Sequence, residues 1–193
     1  MELTTQNIQE LITKYYSNIF KNDEIPLSII CGQVTHESSG DTTAFAGDRN
    51  GGSYGLMQVD KTALSTIGFS DNTDLYNPDL NVQVGMTYDK EFYYGKVNNP
   101  DILNINDHAL RIAMTLISYN AGPENFEEMY NNHLANGNIK TWQDAINNES
   151  LVSNWSSVIS YPVIIFYNAN QYYGLQSNGT INNSYFSVPV ILF

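Results

Sequence analysis

CGQVTHESSGDTTAFAGDRNGGSYGLMQVD, residues 31–60, holds the end of an apolar helix, a glycine-rich loop carrying carboxylates, and a second apolar element. The helix starts upstream. Pro26 suits its opening, because proline has no N–H to lose in a first turn. Asp23 or Asn22 is placed to cap it. Leu27, Ile30, Cys31 and Val34 supply the apolar side chains. At about 3.6 residues per turn, Ile30, Gln33, Val34 and Glu37 share one face. The face expected to be buried therefore ends in a carboxylate. Burial disfavours the charged form, so Glu37 is predicted to keep a proton near neutral pH and be able to donate it. A lone glutamate at a fraying helix end would do nothing of the kind, so the residues that follow decide the matter.

Ser38-Ser39-Gly40 stops the helix, glycine being suited to the left-handed residue after a C-terminus. The loop to Gly52 is rich in Gly, Asp and Asn. Long irregular loops in compact domains are usually functional or disordered. The chain turns apolar again over Ser53-Tyr54-Gly55-Leu56-Met57-Gln58-Val59-Asp60. Gly55 allows close approach of backbone to a ligand. Met57 offers an apolar wall and Gln58 an amide able to bond a sugar.

The 193 residues suffice for one domain with a sizeable core. No apolar run reaches membrane-spanning length. The opening MELTTQNIQE lacks the basic start and apolar run of a signal peptide. Export by another route, or prior removal of a leader, is the expectation. One cysteine, Cys31, excludes an internal disulfide and reads as a buried small hydrophobe. The net charge of −12 argues against nucleic-acid binding, which needs a basic surface. It also makes long-range steering to any anionic surface repulsive at low salt. His36, His108 and His133 show no metal-ligand spacing, and the aspartates form no calcium loop. No metal and no cofactor are expected.

Residues 5–21 carry Ile8, Leu11, Ile12, Tyr15, Tyr16 and Ile19 at helical spacing, with a threonine cap. Lys61 to Leu64 reads as a short turn. Asn77-Pro78 marks a helix start, with Leu80, Val84, Tyr88 and Phe92 running along it to about Tyr94. Residues 95–104 form a linker. Asn106 or Asp107 caps a helix with Leu110, Ala113, Met114 and Ile117, leading into Ser118-Tyr119-Asn120-Ala121-Gly122-Pro123. Residues 123–135 and 141–148 read as short helices around a turn at Asn136-Gly137-Asn138. Trp142 and Trp155 read as core residues in preference to sugar-stacking ones. A last helix is predicted from Tyr161-Pro162 to Tyr173-Gly174. The tail, 175–193, favours strand and turns at Asn178-Gly179.

Glu37-Ser38, then Gly47-Asp48-Arg49 and Ser53-Tyr54-Gly55-Leu56-Met57-Gln58-Val59-Asp60, then Tyr119-Asn120-Ala121-Gly122, resemble the goose-type lysozymes. These are relatives of the soluble lytic transglycosylases. Glu-Ser, Gly-Leu-Met-Gln and Tyr-Asn-Ala-Gly belong to the wider superfamily. Gly-Asp-Arg and Gln-Val-Asp form the narrower goose-type signature. The resemblance runs from about Ile25 to about Tyr173. It implies a mainly α fold of the α+β lysozyme-like kind, a helical bundle with a small β-hairpin between residues 44 and 59 lining a substrate cleft. It places the catalytic domain in residues 1–174 and leaves 175–193 as an apolar tail of unassigned role.

The implied activity is that of a peptidoglycan muramidase, cutting the β-1,4 bond from N-acetylmuramic acid to N-acetylglucosamine. Glu37 is the general acid, and Asp48 and Asp60 position water for inversion, a geometry needing carboxylates roughly 6.5–9.5 Å apart. Ser53, Tyr54, Gly55, Met57, Gln58, Tyr119, Asn120 and Tyr161 are the implied substrate-binding residues. Tyr161 enters because a tyrosine precedes a Tyr-Tyr pair by about eleven positions in the last goose-type helix, as Tyr161 precedes Tyr172-Tyr173. Asn77-Pro78 and Asn81 resemble a structural element of the superfamily. Two alternatives stay open. One is a lytic transglycosylase, in which the muramic 6-hydroxyl replaces water. The other is a domain that binds glycan, or serves a phage structure, without turnover. The expected partner is the peptidoglycan glycan strand, with the tail as a docking segment for a phage particle or another protein. A lone cysteine sets the chain apart from the disulfide-bearing vertebrate branch, and a bacterial or phage origin fits better.

Overall fold

The computed structural model describes residues 1–21, 24–47 and 51–174. The cap expected at Asn22 or Asp23, the aspartate Asp48 expected to position water, and the tail 175–193 lie outside the described residues. The described chain is mainly helical, with eight α-helices and one small sheet. It divides into two compact units, Met1–Lys90 with residues 168–174, and Glu91–Tyr167.

The first unit opens with α1 (Thr5–Ile19), held at its start by a reciprocal capping box between Thr4 and Asn7. Its buried Ile8 and Ile12 face α2 (Leu27–Ser38). Seven consecutive residues of α2, Ser28 to Val34, are buried, which explains its continuous apolar run. Pro26 stands at the N-cap, one residue outside the helix. The Tyr16 hydroxyl donates to the Ile25 carbonyl at 2.8 Å and ties α1 to the entry of α2. Cys31 is fully buried as expected, and burial pushes its thiol up to about 12.

After α2 comes a three-stranded antiparallel sheet, β1 (Phe45–Ala46), β2 (Ser53–Tyr54) and β3 (Val59–Asp60), in that order. Phe45 pairs with Tyr54, and Ser53 with Asp60. The hairpin expected between 44 and 59 is thus present, with a third short strand. The Lys61–Leu64 turn is instead a helix, α3 (Lys61–Thr66), because the Asp60 side chain caps it. Helix α4 (Pro78–Tyr93) begins where Asn77-Pro78 predicts.

In the second unit a 3-10 turn (Pro100–Asn104) occupies the linker. Helix α5 (His108–Ala121) is capped by Asp107, whose Oδ1 accepts from the Leu110 N–H at 2.8 Å. Gly122 (φ 88°) ends it and Pro123 opens α6 (Pro123–Met129), which runs into a π-helical segment, Tyr130–Leu134. Helix α7 (Trp142–Asn147) buries Trp142 edge-on against Phe166, as a core residue. The last helix corrects the sequence reading. It is α8 (Glu149–Tyr173), two helical segments joined across a kink at Trp155 (φ −126°), and Pro162 lies inside the second segment rather than at its start. Proline there is an interior residue and not a helix start. The apolar run Val163–Phe166 had drawn the boundary too late.

Candidate active site

Glu37 lies in the last turn of α2 and is half-buried. The expected buried face is observed below it, where Ile30, Gln33 and Val34 have no exposure. The helix ends at once. Ser39 takes the left-handed conformation (φ 53°), its N–H bonding the Thr35 carbonyl at 3.0 Å. Gly40 follows at φ 84°, and a Cβ there would stand 2.5 Å from the Leu3 carbonyl oxygen. The Leu3 N–H donates to the Gly40 carbonyl at 2.8 Å, so the chain start pins the residue pair that terminates the glutamate helix.

The sheet residues have distinct environments. Asp60 is half-buried, and its Oδ1 accepts from the Thr62 N–H at 2.8 Å as the N-cap of α3. Tyr54 is half-buried between Phe45 (ring centroids 5.0 Å apart) and Tyr76 (5.6 Å), with the Lys61 ammonium over its ring. Ser53 and Gln58 are half-buried, and the Gln58 amide donates to the Gly55 carbonyl at 2.9 Å. Gly55 and Met57 are buried. Gly55 also permits a close approach within the protein. At φ 70° its missing Cβ would stand 2.4 Å from the Leu75 carbonyl oxygen. Met57 packs on Gly85, where a Cβ would meet its sulfur.

Asn81, wholly buried on α4, explains the rigidity of this turn. Its amide donates to the carbonyls of Tyr54 (2.8 Å) and Leu75 (2.9 Å), and its Oδ1 accepts from the Met57 N–H at 2.8 Å. A fully satisfied buried amide fixes backbone geometry strongly. This agrees with the structural part expected of Asn81.

In the second unit, Tyr119 is half-buried and Asn120 exposed, both in the last turn of α5. Tyr161 is buried within α8, 3% exposed. Among the described residues, no group of three or more His, Cys, Asp or Glu side chains is placed to hold a metal ion.

One residue escaped the sequence reading. Asp89 on α4 has no exposure, and its Oδ1 accepts a long hydrogen bond, 3.5 Å, from the Gln33 amide of α2. Burial pushes its carboxyl well above the usual carboxylate range. The Gln33 N–H opposes that, and the Glu37 charge adds to it. The signal was available. Positions 82, 85, 86, 89 and 92 recur at helical spacing, and all five are buried. A carboxylate on that stripe is the exception worth finding.

A helical domain with a glutamate closing a buried helix, followed by a glycine-rich turn and a small sheet, is a lysozyme-like fold. The chain belongs to the transglycosylase SLT domain family, whose profile matches residues 14–142. It is therefore a peptidoglycan-acting protein of lysozyme-like lytic type, and its place of action is the cell wall. A search of curated proteins finds no match to the chain. No helix among the described residues is long and apolar enough to cross a membrane.

Proposed function

We propose that this chain is a goose-type muramidase that hydrolyses the β-1,4 bond between N-acetylmuramic acid and N-acetylglucosamine, with Glu37 as general acid. The observation that carries this reading is the position of Glu37, half-buried in the last turn of a helix whose lower face is wholly buried. Protonated Glu37 gives its proton to the glycosidic oxygen as the bond to C1 breaks. Water adds to C1 from the opposite face and loses its proton to Asp48 or Asp60. The product is a reducing N-acetylmuramic acid with inverted configuration. Ser53, Tyr54, Gly55, Met57 and Gln58, with Tyr119, Asn120 and Tyr161, bind or support the glycan in this reading. The Gly-Asp-Arg and Gln-Val-Asp elements favour hydrolysis, since each supplies an aspartate beyond the acid. A phage setting, with residues 175–193 docking on another protein, completes the proposal.

Transglycosylation is the second reading, and two observations favour it. The matched family is described as a transglycosylase domain, and the Asp60 carboxylate serves as a helix cap. In that case the muramic 6-hydroxyl attacks C1 and Glu37 acts as acid, then base. Mass spectrometry of muropeptides released from purified, insoluble peptidoglycan separates the two. Reducing muramic acid ends are expected. Ends one water lighter, of 1,6-anhydro form, establish transglycosylation, and no release at all overturns both.

A further inference from the structure

Gln33 and Asp89 stand out because nothing in the proposed chemistry uses them. Both are without exposure, on α2 and α4 of the same compact unit, and they bond to each other at 3.5 Å. Gln33 lies one helical turn before Glu37, and residues four apart share a helix face. Asp89 Oδ2 is buried and has no hydrogen-bond partner among the described residues. None of the ion pairs among those residues includes Asp89. A buried carboxylate without a cation is strongly disfavoured, so the group keeps its proton or the fold is weakened. The carboxyl acting electrostatically on Asp89 is that of Glu37, which is of the same sign once ionised.

We propose that Asp89 is a positioning residue for Glu37, gripping Gln33 from α4 and forming with Glu37 a carboxyl pair of which Asp89 is the buried member. The inference rests on the reading of Glu37 as the acid. A protonated carboxyl keeps an acceptor oxygen and gains an O–H donor, so it can face the Gln33 amide, which has two N–H donors and a carbonyl acceptor. Asp89 in that form holds the Gln33 amide without adding a second negative charge beside the acid. Glu37, the less buried of the two, then carries the charge that appears when its proton leaves. The turn that bears Glu37 is fixed by a polar contact rather than by apolar packing alone. A misplacement of about 1 Å at a reacting group can cost about a hundredfold in rate.

The test uses the full chain and soluble glycan strands. Asp89→Leu keeps the bulk and removes the grip. It is expected to lower kcat by about ten- to a hundredfold at unchanged KM, with the helical circular dichroism retained. Asp89→Asn restores the acceptor and the donor and is expected to recover kcat. Full kcat in Asp89→Leu overturns the proposal, and so does an Asp89→Asn variant as slow as Asp89→Leu. Carboxyl NMR supplies an arm that does not depend on the leucine variant folding. In Glu37→Gln the Asp89 carboxyl is expected to titrate at lower pH than in the parent, and an unmoved titration means there is no pair. Turnover that survives Glu37→Gln removes Glu37 as the acid, whereas the Asp89 titration still reports on the pair. The failures of the two readings are thereby distinguishable.

Discussion

Helix α4 carries two aspartates ten positions apart, and they have opposite fates. Asp79, in the first turn, is a surface group. The Lys14 ammonium lies 2.7 Å from it, the Tyr15 hydroxyl also donates to it, and the Lys14 bond holds its carboxyl below the usual range. Asp89, near the other end, is sealed from water, bonds an amide and is pushed the other way. The same residue type on one helix is a solvated anion at one end and a group expected to hold its proton at the other. Burial and neighbours decide this, not sequence composition. Two other carboxylates of this unit also accept hydrogen bonds from nearby donors. Asp41 accepts from the Thr43 N–H and hydroxyl, and Asp60 caps α3. The chemistry proposed for the unit draws on both kinds, with half-buried Glu37 as the acid above its buried neighbours and half-buried Asp60 on the side of water.

The largest expected effect comes from Glu37. Glu37→Gln should lower glycan cleavage by about a hundred- to ten-thousandfold while leaving the fold intact, read by muropeptide release and circular dichroism. Asp60→Asn is where the division between interior and surface carboxylates can break. Asparagine caps as well as aspartate, so the fold should hold while hydrolysis slows by about a hundredfold. An unchanged rate would make Asp60 a cap alone.

Asp89→Asn should give a smaller, pH-dependent gain in stability. Folded Asp89 keeps its proton above the pH at which the unfolded chain loses it. The folded state thus binds more protons, and the parent loses stability as pH rises from about 4 toward the folded titration point. The variant lacks that slope, so its Tm should exceed the parent's at pH 7 by a few degrees and by little near pH 4. Lys14→Met should do least. The Asp79 contribution is present at neutral pH and lost as pH falls through the lowered folded value. The side chains are 61% and 41% exposed, so water and salt screen the pair, and Tm at neutral pH should barely move.

Much of this was legible in the sequence. The periodicity of Ile8 and Ile12 located α1, Asn77-Pro78 located α4, and Asp107 located α5, because caps and apolar spacing are local signals. The buried run before Glu37 was legible for the same reason. Other features were not local. Pro162 looked like a boundary, yet the helical segment that follows the kink at Trp155 continues through it. The packing of Met57 on Gly85, and of Gly55 against the Leu75 carbonyl, was not legible either. Each depends on a contact with a distant segment, which spacing along the chain does not reveal. Asp89 was missed because the apolar set of α4 was taken as Leu80, Val84, Tyr88 and Phe92. The buried stripe is centred instead on Val82, Gly85, Met86 and Asp89.

The Thr35 hydroxyl, two residues before Glu37, meets the Tyr173 hydroxyl at 2.6 Å across 138 positions of chain. Asn168, from the same end of α8, donates to the Gly32 carbonyl of α2 at 3.5 Å. The helix that carries Glu37 is therefore braced by residues made more than a hundred positions later. During synthesis from the N-terminus, residues 27–38 leave the ribosome long before their brace exists. A nascent chain cut short of Tyr173 would hold every motif of the proposed site and lack the Thr35–Tyr173 contact beside Glu37. An enzyme able to breach a wall would then become competent late in its own translation.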